Sequence, residues 1–97
     1  MIAQELLNPK SIVVIGASSD TQKPGGSVLK NLINSNFKGD IYTVNPKETE
    51  VQGIKCYQKV DDLPQVDCAI IAIAAKYCPA TVNTLAFEKG TKGFIIV

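Results

Sequence analysis

The chain has 97 residues, of which 45% are hydrophobic and 20% are charged, and ten Lys and Arg against nine Asp and Glu give a net charge of +1. This composition predicts one globular domain, and the near-neutral charge excludes a general surface for nucleic acid or an anionic membrane. The apolar runs 12–15 and 69–75 are too short to cross a bilayer and the N-terminus lacks a signal peptide's apolar stretch, so we expect a cytoplasmic protein.

The first half of the chain predicts a strand, a helix and a second strand. Residues 11–15 are apolar and β-branched, as in a parallel strand that is buried on both faces. Residues 26–36 follow as an amphipathic helix. Its apolar stripe consists of Val28, Leu29, Leu32 and Ile33. A second strand over 41–44 ends before Pro46, because proline has no N–H to donate to a sheet.

The second half predicts three further strands. Residues 51–57 indicate a turn and a short strand, and 59–63 indicate a single helical turn. Residues 68–74 form a continuous apolar run, typical of a second buried parallel strand. A helix from Pro79 to about Lys89 separates this strand from the last one, at 93–97.

Strands separated by helices predict right-handed parallel crossovers. We therefore expect an α/β fold, a Rossmann-like doubly wound parallel sheet of five strands in the order 3-2-1-4-5. Residues 1–97 are expected to form a single domain of this type. Because the sequence stops on an apolar strand without the usual following loop and helix, we also expect a C-terminally truncated fragment of a larger chain.

Ligands of such sheets bind beyond the carboxyl ends of the strands, and the loop after the first strand lies there. Gly16 permits a sharp turn, Ser18 and Ser19 offer hydroxyl groups, and Gly25 and Gly26 stand at the positive end of the helix. The glycine spacing is wider than that of G-x-G-x-x-G. The loop is thus either a phosphate cradle or a plain glycine-rich turn.

The end of the second strand discriminates between nucleotides. NAD-binding domains carry a carboxylate there for the ribose hydroxyls, whereas this sequence reads Asn45-Pro46-Lys47. Because the first charge is a cation, a phosphorylated ribose fits better than a bare diol, as in NADP or the 3′-phosphate end of coenzyme A. The alternative is that Lys47 is a solvated turn residue.

No catalytic residue and no metal site is predicted. The three cysteines include no C-x-x-C pair, which is the spacing expected of a zinc site. The sequence contains no histidine, the commonest general base and metal ligand.

Several sequence motifs occur in the order found in one known family. They are PKSIVVIGASSD, FKGDIYTVNPK, GIKCY and KGTKGFIIV. From about Leu6 to Val97 the chain resembles the N-terminal CoA-binding domain of the NDP-forming acyl-CoA synthetases. That family includes the ADP-forming acetate-CoA ligases and is related to the α subunit of succinyl-CoA synthetase. The chain is also similar to small stand-alone CoA-binding proteins, although FKGDIYTVNPK is closer to the synthetases.

The resemblance implies a site for the nucleotide part of coenzyme A. The residues implied to hold the phosphates are Gly16, Ala17, Ser18, Ser19, Lys23, Gly25 and Gly26. Those implied to meet the adenosine and its 3′-phosphate are Asn45, Pro46 and Lys47. Those implied to border the adenine are Ile73, Ala74 and Ala75, although the family usually has a proline in place of Ala74.

The resemblance further implies that the parent protein is an acyl-CoA synthetase. Further domains or a subunit would then carry the phosphohistidine and the ATP-grasp part. Because this chain has no histidine, we expect it to be inactive by itself. Two alternatives remain, namely a non-catalytic CoA-responsive or regulatory module and an NADP-binding oxidoreductase domain. Lys47 is compatible with NADP, whereas the wide glycine spacing opposes it.

Overall fold

The computed structural model describes residues 10–35, 37, 39–73, 81, 84–85, 89–91 and 93–96. The elements are β1 (Ser11–Ile15), α1 (Pro24–Asn34), β2 (Asp40–Val44), β3 (Glu50–Val51), β4 (Ile54–Tyr57), a 3-10 helix (Val60–Asp62), β5 (Cys68–Ile71) and β6 (Gly93–Ile96). Between β5 and β6, the described residues Thr81, Thr84 and Leu85 are helical. Ala74, Ala75 and Val97 lie outside the described residues.

The sheet has the order β3-β4-β2-β1-β5-β6. All neighbours pair in parallel except β3, which is antiparallel to β4 at the edge. The parallel strands alone follow the predicted order 3-2-1-4-5, so the Rossmann-like α/β fold is confirmed. Ile15 at the end of the central strand pairs with both Val44 and Ile71, which brings the carboxyl ends of β1, β2 and β5 into line.

The extra strand arises from a hairpin over the segment predicted as a turn and one short strand. Gln52 and Gly53 connect β3 to β4 with φ angles of 50° and 83°. Val51 pairs with Ile54, so the turn contains only these two residues. Two positive φ angles are the mark of the type I′ turn, whose twist matches that of the strands it joins. Gln-Gly is a weaker hairpin signal than Asn-Gly, so the sequence predicts one strand where the structure has two.

Helix α1 begins at Pro24, two residues before the predicted start. Proline suits the first helical position because its φ is already fixed near the helical value and the N–H that it lacks has no intrahelical partner there. Strand β5 ends at Ile71 rather than at the predicted residue 74. Neither shift moves the loops away from the carboxyl edge of the sheet.

Apolar side chains are buried on both faces of the sheet. All five residues of β1 are buried, as predicted for a central strand. Because successive side chains of a strand point to opposite faces, Val13 packs in the cluster that contains Leu85, and Val14 packs in the cluster that contains Leu29 of α1. Ile95 of β6 keeps 45% of its surface exposed. No helix within the described ranges is long and apolar enough to span a membrane.

Candidate functional site

The loop after β1 crosses the carboxyl end of β2. The N–H groups of Gly16 and Ala17 both donate to the carbonyl oxygen of Val44, at 2.9 and 3.2 Å. Gly16 has a φ of +86°, and a Cβ at this position would lie 2.5 Å from the carbonyl oxygen of Ala72. The turn out of β1 therefore requires glycine for both its backbone angle and its close packing.

Gly25 and Gly26, in the first turn of α1, are both buried. A Cβ on Gly25 would collide with the carbonyl oxygen of Gly16, and one on Gly26 would collide with that of Asp20. The sequence interpretation assigns these glycines to close approach of a ligand. In the structure the atoms that approach them are carbonyl oxygens of the preceding loop, so internal packing is sufficient to explain why these residues are glycines.

Local hydrogen bonds hold the loop between Ser18 and Lys23 in a compact form. The hydroxyl oxygen of Ser18 accepts from the N–H of Asp20 at 3.0 Å, and the Asp20 carboxylate accepts from the N–H of Gln22 at 3.0 Å. The Lys23 N–H donates to the carbonyl oxygen of Asp20 at 3.1 Å. Since the Ser18 oxygen acts as an acceptor in this bond, its O–H hydrogen is left to donate elsewhere.

The start of α1 is electrostatically suited to an anion. The first turn of a helix leaves N–H groups without intrahelical partners, and Pro24 contributes none, so Gly25 and Gly26 supply them. The first turn contains no acidic residue. The exposed Lys23 stands at the N-cap and adds a positive charge to the positive end of the helix.

Asn45, directly after β2, joins the loop to the turn that follows. Its side-chain N–H donates to the carbonyl oxygen of Ala17 at 2.9 Å. Its side-chain oxygen accepts from the N–H of Lys47 at 2.8 Å. Both polar atoms of the side chain are thus engaged within the protein. Pro46 and Lys47, by contrast, are exposed.

Gln52, on the hairpin turn between β3 and β4, contacts the candidate site and was missed by sequence reasoning. Its side-chain amide donates to the carbonyl oxygens of Ser18 at 2.8 Å and of Gly26 at 3.0 Å. The side chain therefore ties the start of the loop to the start of α1. The residues around Gln52 in the sequence carry no signal for this role, because it depends on the sheet order that brings the hairpin beside the loop.

An apolar cleft of about 520 Å³ opens at the same edge. Its lining residues are Ile15, Gly16, Val44, Pro46, Gln58, Val60, Ile73 and Thr81. Several of them pack with the cluster on the sheet face opposite α1. Of the predicted site residues, Gly16, Pro46 and Ile73 line the cleft, whereas Gln58, Val60 and Thr81 were not predicted. The position of Gln58 directly after β4 is the one sequence signal that marks it.

Among the residues that the structure describes, the two groups with shifted pKa values lie outside this edge. Burial raises the pKa of the Cys68 thiol at the start of β5. Burial and the nearby Asp40 carboxylate raise the pKa of Tyr42, within β2. Across the described parts of the chain, no group of three or more His, Cys, Asp or Glu side chains is arranged to hold a metal ion.

Comparisons with known proteins relate the whole chain to one family. Residues 10–97 match a family model described as a CoA binding domain. An ADP-forming acetate–CoA ligase II of Archaeoglobus fulgidus is 44% identical over 95 residues, which make up 97% of this chain and 14% of that ligase. The chain thus spans about a seventh of the length of this curated relative.

Solved structures share the fold. The dinucleotide-forming acetyl-coenzyme A synthetase 1 of Ca. Korarchaeum cryptofilum superposes with a TM-score of 0.86 at 38% identity, over 97% of this chain and 20% of that one. A conserved hypothetical protein of Pyrococcus furiosus superposes with a TM-score of 0.78 at 31% identity, over 91% of this chain and 74% of that one.

Proposed function

We propose, from the premise that this chain belongs to the family of CoA binding domains, that it binds the nucleotide part of coenzyme A across the carboxyl edge of its sheet. Its curated relatives include ADP-forming acetate–CoA ligases, whose sequences align with nearly the whole length of this chain.

The main support is the double role of Asn45. Its side-chain N–H donates to the carbonyl oxygen of Ala17 in the loop at 2.9 Å, and its side-chain oxygen accepts from the N–H of Lys47 in the following turn at 2.8 Å. The backbone of the loop and that of the turn carrying Lys47 are therefore held in a fixed relation on one edge of the sheet. Coenzyme A presents a pyrophosphate and a 3′-phosphate on either side of one ribose, so a ligand of this kind needs two such anion sites close together.

The pyrophosphate is assigned to the loop and the start of α1. We propose that Gly16, Ala17, Ser18 and Ser19 surround it, together with Lys23, Gly25 and Gly26 at the helix start. The unpaired N–H groups and the positive end of a helix stabilise phosphate oxygens without a histidine or a metal. The Ser18 hydroxyl retains a hydrogen to donate, as described above.

The adenosine is assigned to the cleft. The cleft volume of about 520 Å³ suits one base and its ribose, and it falls within the usual range of ligand pockets, about 300–1,000 Å³. We propose that Ile73 and Val60 form the apolar wall that borders the adenine, while Ala74 and Ala75 remain predicted contacts. Pro46 and Lys47 would then meet the ribose and its 3′-phosphate.

The experiment compares coenzyme A with dephospho-coenzyme A, which lacks only the 3′-phosphate. Lys47→Ala is expected to weaken the binding of coenzyme A about fivefold, since an exposed ion pair contributes roughly 1 kcal/mol. Affinity for dephospho-coenzyme A should stay unchanged. Lys10→Ala is the matched control, because Lys10 is exposed and precedes β1 at the opposite edge of the sheet. Isothermal titration calorimetry gives all the affinities, and an equal loss for both ligands in Lys47→Ala contradicts the assignment.

We further propose that residues 1–97 are the single CoA-binding domain of an acid–thiol ligase. In this proposal the phosphohistidine and the ATP-grasp part lie on further domains or a subunit. The short Pyrococcus furiosus protein, of which this chain covers 74%, favours a second candidate, a stand-alone CoA-responsive module. Sequencing the reading frame around these residues distinguishes the two, because only the ligase requires a histidine-bearing domain.

A further inference from the structure

Gln52 combines an uncommon backbone conformation with two side-chain hydrogen bonds. It has a φ of 50° on the β3–β4 turn, a region that residues other than glycine adopt rarely. Its side chain is half-buried, and its amide nitrogen lies 2.8 Å from the carbonyl oxygen of Ser18 and 3.0 Å from that of Gly26. An amide nitrogen carries two hydrogens, so both of them are used.

These bonds fix the direction of the peptide groups in the loop. In a planar trans peptide, the C=O of one residue and the N–H of the next point in opposite directions. The described chain contains no cis peptide bond. Asn45 binds the carbonyl oxygen of Ala17 and Gln52 binds that of Ser18, so the N–H groups of Ser18 and Ser19 point away from these two side chains.

The two N–H groups are also available. Among the described residues, neither the Ser18 N–H nor the Ser19 N–H meets a hydrogen-bond acceptor. Ser19 is exposed and Ser18 is half-exposed. Successive backbone N–H groups that face the same side form a concave site for anions. The direction of each of these N–H groups depends on the side chain that holds the preceding carbonyl group.

We infer that Gln52 is a positioning residue for the pyrophosphate of coenzyme A. It does not touch the ligand, but it holds the peptide between Ser18 and Ser19 with the N–H outward. It also fixes the distance from this peptide to the start of α1 through Gly26. The inference rests on the proposed function, since it assumes that an anion of this ligand occupies the loop.

The test variant is Gln52→Met, which preserves the length of the side chain and the same backbone requirement but removes both donor hydrogens. Gln65→Met is the matched control, because Gln65 is exposed and lies before β5 at the opposite edge of the sheet. The probes are coenzyme A and adenosine 3′-monophosphate, which keeps the base, ribose and 3′-phosphate but has no pyrophosphate. NMR titration of the 97-residue chain measures both, including weak binding.

Gln52→Met is expected to weaken the binding of coenzyme A by up to about tenfold, because binding must then order the loop that the two Gln52 hydrogen bonds hold in place. Its affinity for adenosine 3′-monophosphate should match that of the wild type, and Gln65→Met should change neither affinity. An unchanged affinity for coenzyme A in Gln52→Met overturns the inference alone, while the proposed function stands. An equal loss for both ligands also overturns it, because that pattern indicates a general structural role.

A second measurement needs no variant and therefore holds even if Gln52→Met does not fold. When coenzyme A is added to the wild-type chain, the amide proton resonances of Ser18 and Ser19 are expected to move downfield as they bind phosphate oxygens. If coenzyme A binds and these two resonances stay in place, the inference is wrong. If the wild type does not bind coenzyme A at all, the proposed function fails and the inference fails with it.

Discussion

Replacing Asn45 with alanine removes two hydrogen bonds at once, those to the carbonyl oxygen of Ala17 and from the N–H of Lys47. Each such bond contributes about 0.5–1.5 kcal/mol, so the free energy of unfolding should fall by about 2 kcal/mol. For a domain of this size that change lowers Tm by about 10 °C. Asn45→Asp keeps an acceptor for Lys47 but sets a carboxylate oxygen against the Ala17 carbonyl oxygen, so we expect it to lose at least as much Tm as Asn45→Ala.

The same variants report on the ligand. With the turn at Lys47 released, Asn45→Ala should lose part of the preference for coenzyme A over dephospho-coenzyme A. Circular dichroism melts give Tm and calorimetric titrations give the two affinities. Asn31→Ala is the control, because Asn31 is exposed on α1 and alanine is the better helix former. The reasoning is refuted if Asn45→Ala melts at the wild-type Tm, or if it keeps the full preference for coenzyme A.

Four further predictions follow from the fold, the sequence and the thiol. Gly25→Ala should lower the unfolding free energy in urea, because overpacking against a carbonyl group costs about 1–3 kcal/mol and exceeds the helix-propensity gain of at most about 1 kcal/mol; wild-type stability would contradict the packing argument. Burial raises the pKa of Cys68, so above its ordinary value of 9.0 the folded state retains the proton better than the unfolded state does. The unfolding free energy should therefore fall as pH rises through 9.0, and Cys68→Ala should flatten that slope; identical slopes would exclude this cause. The 97-residue chain, which has no histidine, should form no acetyl-CoA from acetate, ATP and coenzyme A, and detected product would disprove this. Coenzyme A should outcompete NADP and NAD in a displacement titration, and the reverse order would favour the oxidoreductase alternative.

The sequence alone determined the fold class and the edge of the sheet at which the candidate site is proposed. Apolar runs such as 11–15 and 68–71 are local signals, since a strand covered on both faces must be apolar at nearly every position. The helical periodicity between the strands predicts parallel crossover connections. These connections are almost always right-handed, so few sheet topologies remain. The strand order follows from these rules, and with it the convergence of Gly16 and Asn45 at one edge.

Only the tertiary structure decided what holds that edge in shape. Asn45 and Ala17 are 28 residues apart in the chain, and Gln52 and Ser18 are 34 apart. No local pattern encodes such contacts, because they exist only after the sheet has placed the hairpin and the loop side by side. The same holds for Gly25, whose need for glycine comes from the Gly16 carbonyl group across the loop. Periodicity records which faces of an element are buried, whereas the identity of the atoms that meet there depends on the packed fold.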